Sequence, residues 1–170
     1  MRIKRLYADW EAMKVLAERT ACFDIAWNGH VPPEAYQVTF HCRGLFRAPG
    51  ASQPSISSVH QAAIFLHVTY PRQQPRITWK TEIFHPNILS ASRNGGVCIG
   101  SWTPAETLPD LCVRLAEMIM YQSYNPHDPL DLEAAAWAVQ HADALPVDTR
   151  DVLTGFTPAH QSIQQLEVTP

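Results

Sequence analysis

Phe84-His-Pro-Asn-Ile-Leu-Ser-Ala-Ser-Arg-Asn-Gly-Gly-Val-Cys-Ile-Gly100 is the least regular and most informative stretch of this chain. It has no hydrophobic period of its own and is long for a loop inside a compact domain, the kind of segment that tends to carry function. Three of the chain's seven glycines, Gly95, Gly96 and Gly100, crowd around Cys98. Without side chains there, another backbone can approach the sulfur closely, which makes Cys98 the candidate nucleophile. Taken alone, a single cysteine is more often a small buried apolar residue than a reactive group.

Upstream of this stretch the pattern alternates. Arg76 to Ile83 is a short run of period two, and Ile64, Leu66, Val68 and Tyr70 form a longer one that stops at Pro71. Tyr36, Val38, Phe40 and Cys42 form another, divided from the next run by a polar Pro/Ser/Gly loop from Ala48 to Ser58. Phe23, Ile25 and Trp27 form the first, ended by Asn28-Gly29. Ahead of it Ile3, Leu6, Tyr7, Trp10, Met13 and Ala17 recur at offsets of three and four, so residues 2–19 read as an amphipathic helix. A helix followed by four consecutive strands predicts an α+β fold with an antiparallel meander.

Downstream, Thr107 and Asp110 are spaced like a capping box, and Leu111, Leu115, Met118 and Ile119 supply the apolar stripe of a helix. Asp128-Pro129 reads as the cap and first position of another helix, with Leu132, Ala135, Ala136 and Val139 on its apolar side and its end near Gln140. From His141 the pattern is weak and broken by Pro146, Gly155 and Pro158. The organisation expected is one domain over residues 1–140 and a tail over 141–170, loosely helical or partly disordered.

Composition excludes several classes. With 13 Lys and Arg against 16 Asp and Glu the formal charge is −3, which leaves no basic footprint for nucleic acid. No run approaches the ~18 apolar residues of a membrane helix, and Met1 to Trp10 holds no secretory apolar stretch, so a cytoplasmic protein is expected. Cys22, Cys42, Cys98 and Cys112 form no Cys-x-x-Cys pair, which suggests neither a zinc cage nor a redox motif. Hence no metal site is expected. His41, His60 and His67 show no ligand spacing and read as surface or satisfied partners.

His85-Pro86-Asn87, then Gly-Gly-Val-Cys98-Ile, then Trp102-Thr103-Pro104-Ala105, and finally Asn125-Pro126-His127-Asp128-Pro129-Leu130 resemble the ubiquitin-conjugating (UBC) enzymes in order and content over roughly residues 2–140. The resemblance implies the UBC-like fold: an N-terminal helix, a four-stranded antiparallel meander and two or more C-terminal helices. It also implies a thioester relay. The Cys98 thiolate would take a ubiquitin-like protein from an activating enzyme and yield it to an acceptor amine or hydroxyl, without a cofactor. Thiolate is the attacking form, and a free thiol of pKa ~8.5 is only slightly ionised at neutral pH.

By their match to the family, Asn87 is the donor to the tetrahedral oxyanion, and His85 and Pro86 brace the loop rather than act in chemistry. Trp102 packs beneath that loop. Asp128 has two readings, one positioning and deprotonating an incoming lysine and the other capping a helix. Arg2, Lys4 and Arg5 are contacts for the activating enzyme by analogy, and a solvated helix end explains them equally. Cys112 reads as core. Gly100 and His127 stand where many members carry acids, and Arg72 stands where many carry a ligase-docking aromatic. Such departures, with no clear fourth helix, suit a divergent member, for example one from a bacterial ubiquitin-like conjugation operon with a role in antiviral (antiphage) defence. The rival readings are a non-catalytic module of the same fold that holds a ubiquitin-like protein, and a cysteine hydrolase using Cys98 with His85 and Asn87.

Overall fold

The computed structural model describes residues 1–157. Helix α1 (Arg2–Arg19) leads into a four-stranded antiparallel sheet of β1 (Phe23–Trp27), β2 (Ala35–Phe40), β5 (His60–Phe65) and β6 (Arg76–Trp79), in that spatial order. A small hairpin of β3 (Gly44–Phe46) and β4 (Ser55–Ser57) is inserted between β2 and β5. Helices α2 (Leu108–Ile119) and α3 (Leu132–Gln140) follow. The predicted α+β meander is therefore present.

Its register puts Phe23 opposite Phe40 and Val38 opposite Ala62, so one face of the sheet is largely apolar, with the buried His60 opposite Phe40 as its polar member. Trp79 lies stacked on Phe40 with ring centroids 5.8 Å apart, and Phe40 meets Phe23 edge-on at 5.6 Å. Each such fully buried ring is worth roughly 1.5–3 kcal/mol in removed apolar surface. Against this face α2 lays the predicted stripe of Leu111, Leu115, Met118 and Ile119, widened by Ala116 and by Cys112, which is wholly in the core. The capping box is formed too: Asp110 N–H donates to Thr107 Oγ1 at 3.2 Å and Thr107 N–H to Asp110 Oδ2 at 2.9 Å.

Several sequence readings are corrected. The polar loop over 48–58 contains β4, because three residues suffice to pair with Gly44–Phe46 without an alternating apolar run. The third long strand runs over His60–Phe65 rather than onward to Tyr70; Leu66 and Tyr70 are buried but Val68 is 82% exposed, since the chain turns at 67–69. In α1 the buried positions are Leu6, Asp9, Met13 and Leu16, whereas Ile3 and Tyr7 face water. In α3 the core side is Ala134, Ala135 and Ala138, and Leu132 and Val139 are exposed. Small residues point inward there because α3 sits close over Phe84 and Tyr121, leaving little room beneath it.

The segment after α3 is fastened rather than loose. Asp148 is fully buried on its side chain, and burial works against its charge. The Arg150 guanidinium and the Arg43 and Arg150 N–H groups outweigh that and hold its pKa down to about 2. Val147 N–H donates to Met120 O and Ala21 N–H to Phe156 O, so 141–157 belongs with the domain. The rest of the expected tail, 158–170, lies outside the described residues.

Candidate active site

The local chemistry of the sequence builds this site from its irregular loop. His85 and Ile88 form an isolated bridge, and Ile88 pairs in turn with Val97. Leu89 N–H donates to Gly96 O at 2.8 Å and Cys98 N–H to Asn87 O at 2.9 Å, so the loop folds back as a narrow flap that sets Cys98 beside Asn87. Ser90 closes its base, donating through Oγ to Ile83 O at 2.7 Å and accepting from Ile83 N–H at 2.9 Å. The tip of the flap forms a 3-10 turn, Ala91–Arg93, whose Arg93 pairs with the Asp131 carboxylate. Gly95, at φ +65°, lets the flap lie on the backbone of Trp79, whose N–H donates to Gly95 O at 2.8 Å. The expected reason for the glycines is thus corrected: Gly95 serves contact with β6, not with the sulfur.

Cys98 is half-buried, and it lines a cleft of about 200 Å³ with Asn87, Gly100, Arg114, Tyr124, Asn125 and Asp128. Its opposite wall, residues 123–128, is carried by Asn87. The Asn87 amide donates to Asn125 O at 2.9 Å and to Asp128 O at 3.3 Å, and its Oδ1 accepts from Asn125 N–H at 2.7 Å. Both amide hydrogens are therefore engaged with the wall in this arrangement. Pro86 is buried and its carbonyl takes N–H groups from Leu130 at 2.7 Å and Asp131 at 3.0 Å. Asp128 is exposed on the rim. It is not the helix cap: Asp131 is, accepting from Ala134 N–H at 3.0 Å, because Pro129 and Leu130 are still part of the turn held by Pro86.

His85 is fully buried, packed on Tyr121 at 4.8 Å, and its Nδ1 accepts the Asn87 N–H at 3.0 Å. The proton is thereby assigned to Nε2. Burial drives its pKa down to about 3, and the Met118 carbonyl, which falls short of a hydrogen bond, opposes this weakly. No hydrogen bond joins His85 to Cys98, so the arrangement a cysteine hydrolase needs is not formed. Trp102 sits not under the flap but against Tyr70, its Nε1–H donating to Pro71 O at 2.9 Å. Arg2 pairs with Glu34 at 2.7 Å, and Arg5 is spent on Asp9, Tyr70 and the carbonyls of Pro104 and Glu106. Lys4 alone of the three stands exposed. Neither a free docking residue nor a solvated end describes Arg5; it ties α1 to the loop before α2.

Burial also lowers the pKa of His60, to about 4, against the opposing Ser57 carbonyl. An unfolded chain takes protons on both histidines below about pH 6.5 that the folded chain refuses, so stability is complete above that pH and falls as pH drops toward 4 and 3. At about 1.4 kcal/mol per pKa unit the loss is several kcal/mol. The stability that Asp148 contributes is present throughout this window and is lost only below the ordinary carboxylate range. The melting temperature is therefore expected to fall steadily from pH 6.5 to 4.5; a flat profile over that window contradicts the buried neutral histidines.

A family model described as ubiquitin-conjugating enzyme matches residues 46–145, more than half of the chain, and spans Asn87, Cys98, Trp102 and Asp128. The chain belongs to the ubiquitin-conjugating enzyme family. A solved ubiquitin conjugating enzyme E2 domain from Toxoplasma gondii has the same fold, with a TM-score of 0.58 at 21% identity over 84% of this chain and 90% of that one. As a ubiquitin-conjugating enzyme the chain is a transferase by class. Among the described residues no group of three or more His, Cys, Asp or Glu side chains could hold a metal ion. Among them, too, no helix is long and apolar enough to cross a membrane. Arg114 and Asn125 line the cleft although sequence patterning alone did not single them out; only Asn125 carried a signal, through its place in the Asn125–Leu130 motif.

Proposed function

We propose that this ubiquitin-conjugating enzyme carries a ubiquitin-like protein as a thioester on Cys98. The thiolate attacks the carbonyl carbon of the activating enzyme's thioester, a new S–C bond forms, and the old one breaks with loss of the enzyme's thiolate. In the second step an acceptor nitrogen or oxygen bonds to the same carbon, and Cys98 leaves as thiolate. The observation that carries this reading is a partly open sulfur in a cleft whose far wall is held in place by the adjacent Asn87 side chain. A pure binding module needs no such thiol.

Asp128, on the rim, is suited to accept the proton of an incoming amine. Asn87 acts first as the brace of the 123–128 wall, and its longer bond, 3.3 Å to Asp128 O, is the one it gives up to donate to the oxyanion. One well-placed donor of this kind is worth about 3–4 kcal/mol. Lys4 and the recess lined by Met1, Arg2, Val68 and Pro104 form the end offered to the activating enzyme. A bacterial ubiquitin-like conjugation operon, cytoplasmic and directed against phage, is the proposed setting.

The test is incubation with ATP, a ubiquitin-like protein and its activating enzyme, from bacterial and eukaryotic systems side by side, followed by a non-reducing gel. A thiol-labile adduct is expected, with bacterial components favoured; none with any pair refutes the carrier reading. Asn87→Ala is expected to load but to discharge about 100-fold more slowly, in line with the loss of one oxyanion donor. Slow loading with normal discharge removes Asn87 from the second step.

A further inference from the structure

The two sides of Cys98 are held very differently. Upstream, the flap is secured by backbone pairing of 87–89 with 96–98. Downstream, among the described residues, no backbone hydrogen bond reaches residues 99–102. Gly100 there has φ +74° and open space where a Cβ would stand, so packing fixes little of this turn between the buried Ile99 and the half-buried Trp102, whose indole is tied to Pro71 O. Between those two residues one side chain supplies the anchor. Arg114, on the flank of α2, donates through Nη1 to Ile99 O at 3.3 Å and to Ser101 O at 3.0 Å, and it also lines the Cys98 cleft.

Its other nitrogen, Nη2, is paired with the Glu106 carboxylate, and both side chains are about three-quarters buried, with 26% and 23% exposure. Glu106 is itself fastened, because its backbone carbonyl receives the Arg5 guanidinium, which also binds Asp9 and Pro104 O. A planar fork is required to serve acceptors in these two directions at once, and a lysine ammonium on a flexible stem cannot hold the same geometry.

We infer that Arg114 is a positioning residue for the transfer chemistry: it fixes the 99–101 turn and thereby the direction of the Cys98 sulfur, with Glu106 orienting its guanidinium. The inference rests on the carrier reading above. Misplacing a reacting atom by about 1 Å costs on the order of 100-fold in rate. Removing the anchor should therefore be felt in the maximal rate rather than in acceptor binding.

The experiment loads wild-type and variant chains, then follows discharge to increasing lysine concentration in single turnover. Arg114→Met is expected to lower the saturating rate roughly 10- to 100-fold, with the half-saturating lysine concentration within about twofold of wild type. Arg114→Lys should recover part of the rate. Glu106→Gln should lower it less, and Arg114→Met with Glu106→Gln should be no slower than Arg114→Met, since residues acting as one unit are not additive. A saturating rate within twofold of wild type in Arg114→Met, or a loss confined to half-saturation, overturns the positioning role. Alkylation of Cys98 by iodoacetamide gives a second readout that needs no partner, and it should change severalfold in Arg114→Met. If the wild type never loads, the carrier reading has failed; if it loads and the saturating discharge rate does not respond to Arg114, this inference alone has failed.

Discussion

Cys98→Ala is expected to abolish the ubiquitin-like adduct altogether, and Cys98→Ser to convert it to an ester that survives thiol reductants and yields only to base. The chain has no understudy for this sulfur. Cys22, Cys42 and Cys112 are each 1% exposed or less; the neighbouring Cys22 thiol and burial push the Cys42 thiol upward, and burial does the same to Cys112. A carbonyl at the end of a macromolecule cannot reach any of them without unfolding the domain. The serine ester persists because an alkoxide leaves far less readily than a thiolate, so the second transfer stalls while the first, slowed, still accumulates product. Intact-mass measurement before and after reductant separates the two chemistries. An adduct on Cys98→Ala would place the acceptor sulfur elsewhere and remove the role given to the cleft. Alkylation of the native protein by iodoacetamide should likewise modify one thiol.

Gly95→Ala carries the largest expected cost in stability. A Cβ there would lie 2.3 Å from Trp79 O and 2.9 Å from Trp79 N, both backbone atoms of a central core residue that cannot move aside. The positive φ adds about 1 kcal/mol for any residue with a Cβ, and the overlap adds about 1–3 kcal/mol more. A loss of about 3 kcal/mol corresponds to a fall in melting temperature of roughly 6–12 °C for a chain of this size. Gly100→Ala is the control, since it has a similar φ and nothing within 4 Å of the added carbon, and only the strain should register. Equal losses at the two sites would mean that the flap does not rest on β6 as described. Because Gly95 also closes the flap through Ser90 O at 3.0 Å, partial loosening by Gly95→Ala should slow thioester formation as well.

The sequence by itself determined the order of the helices and of the four strands of the meander, the capping of α2, most of its buried stripe and the stretch that contains the candidate nucleophile. These follow from period, turn residues and local hydrogen-bonding side chains, which act over a few positions and can be read in one dimension. Motif order also carried the likeness to the ubiquitin-conjugating family, which the family match over residues 46–145 bears out. The tertiary structure decided what those residues touch. Apolar periodicity could not say that Asp9, not Tyr7, would be the buried side of α1, because Arg5, Tyr70 and Leu108 N–H, from distant parts of the chain, supply its partners. Nor could spacing show that Asn87 would brace a loop 38 positions away, that Asp131 would displace Asp128 as a cap, or that Arg114 would hold the turn after Cys98. Each of those outcomes depends on which carbonyls and N–H groups remain unpaired once the backbone has packed, and that account closes only in three dimensions.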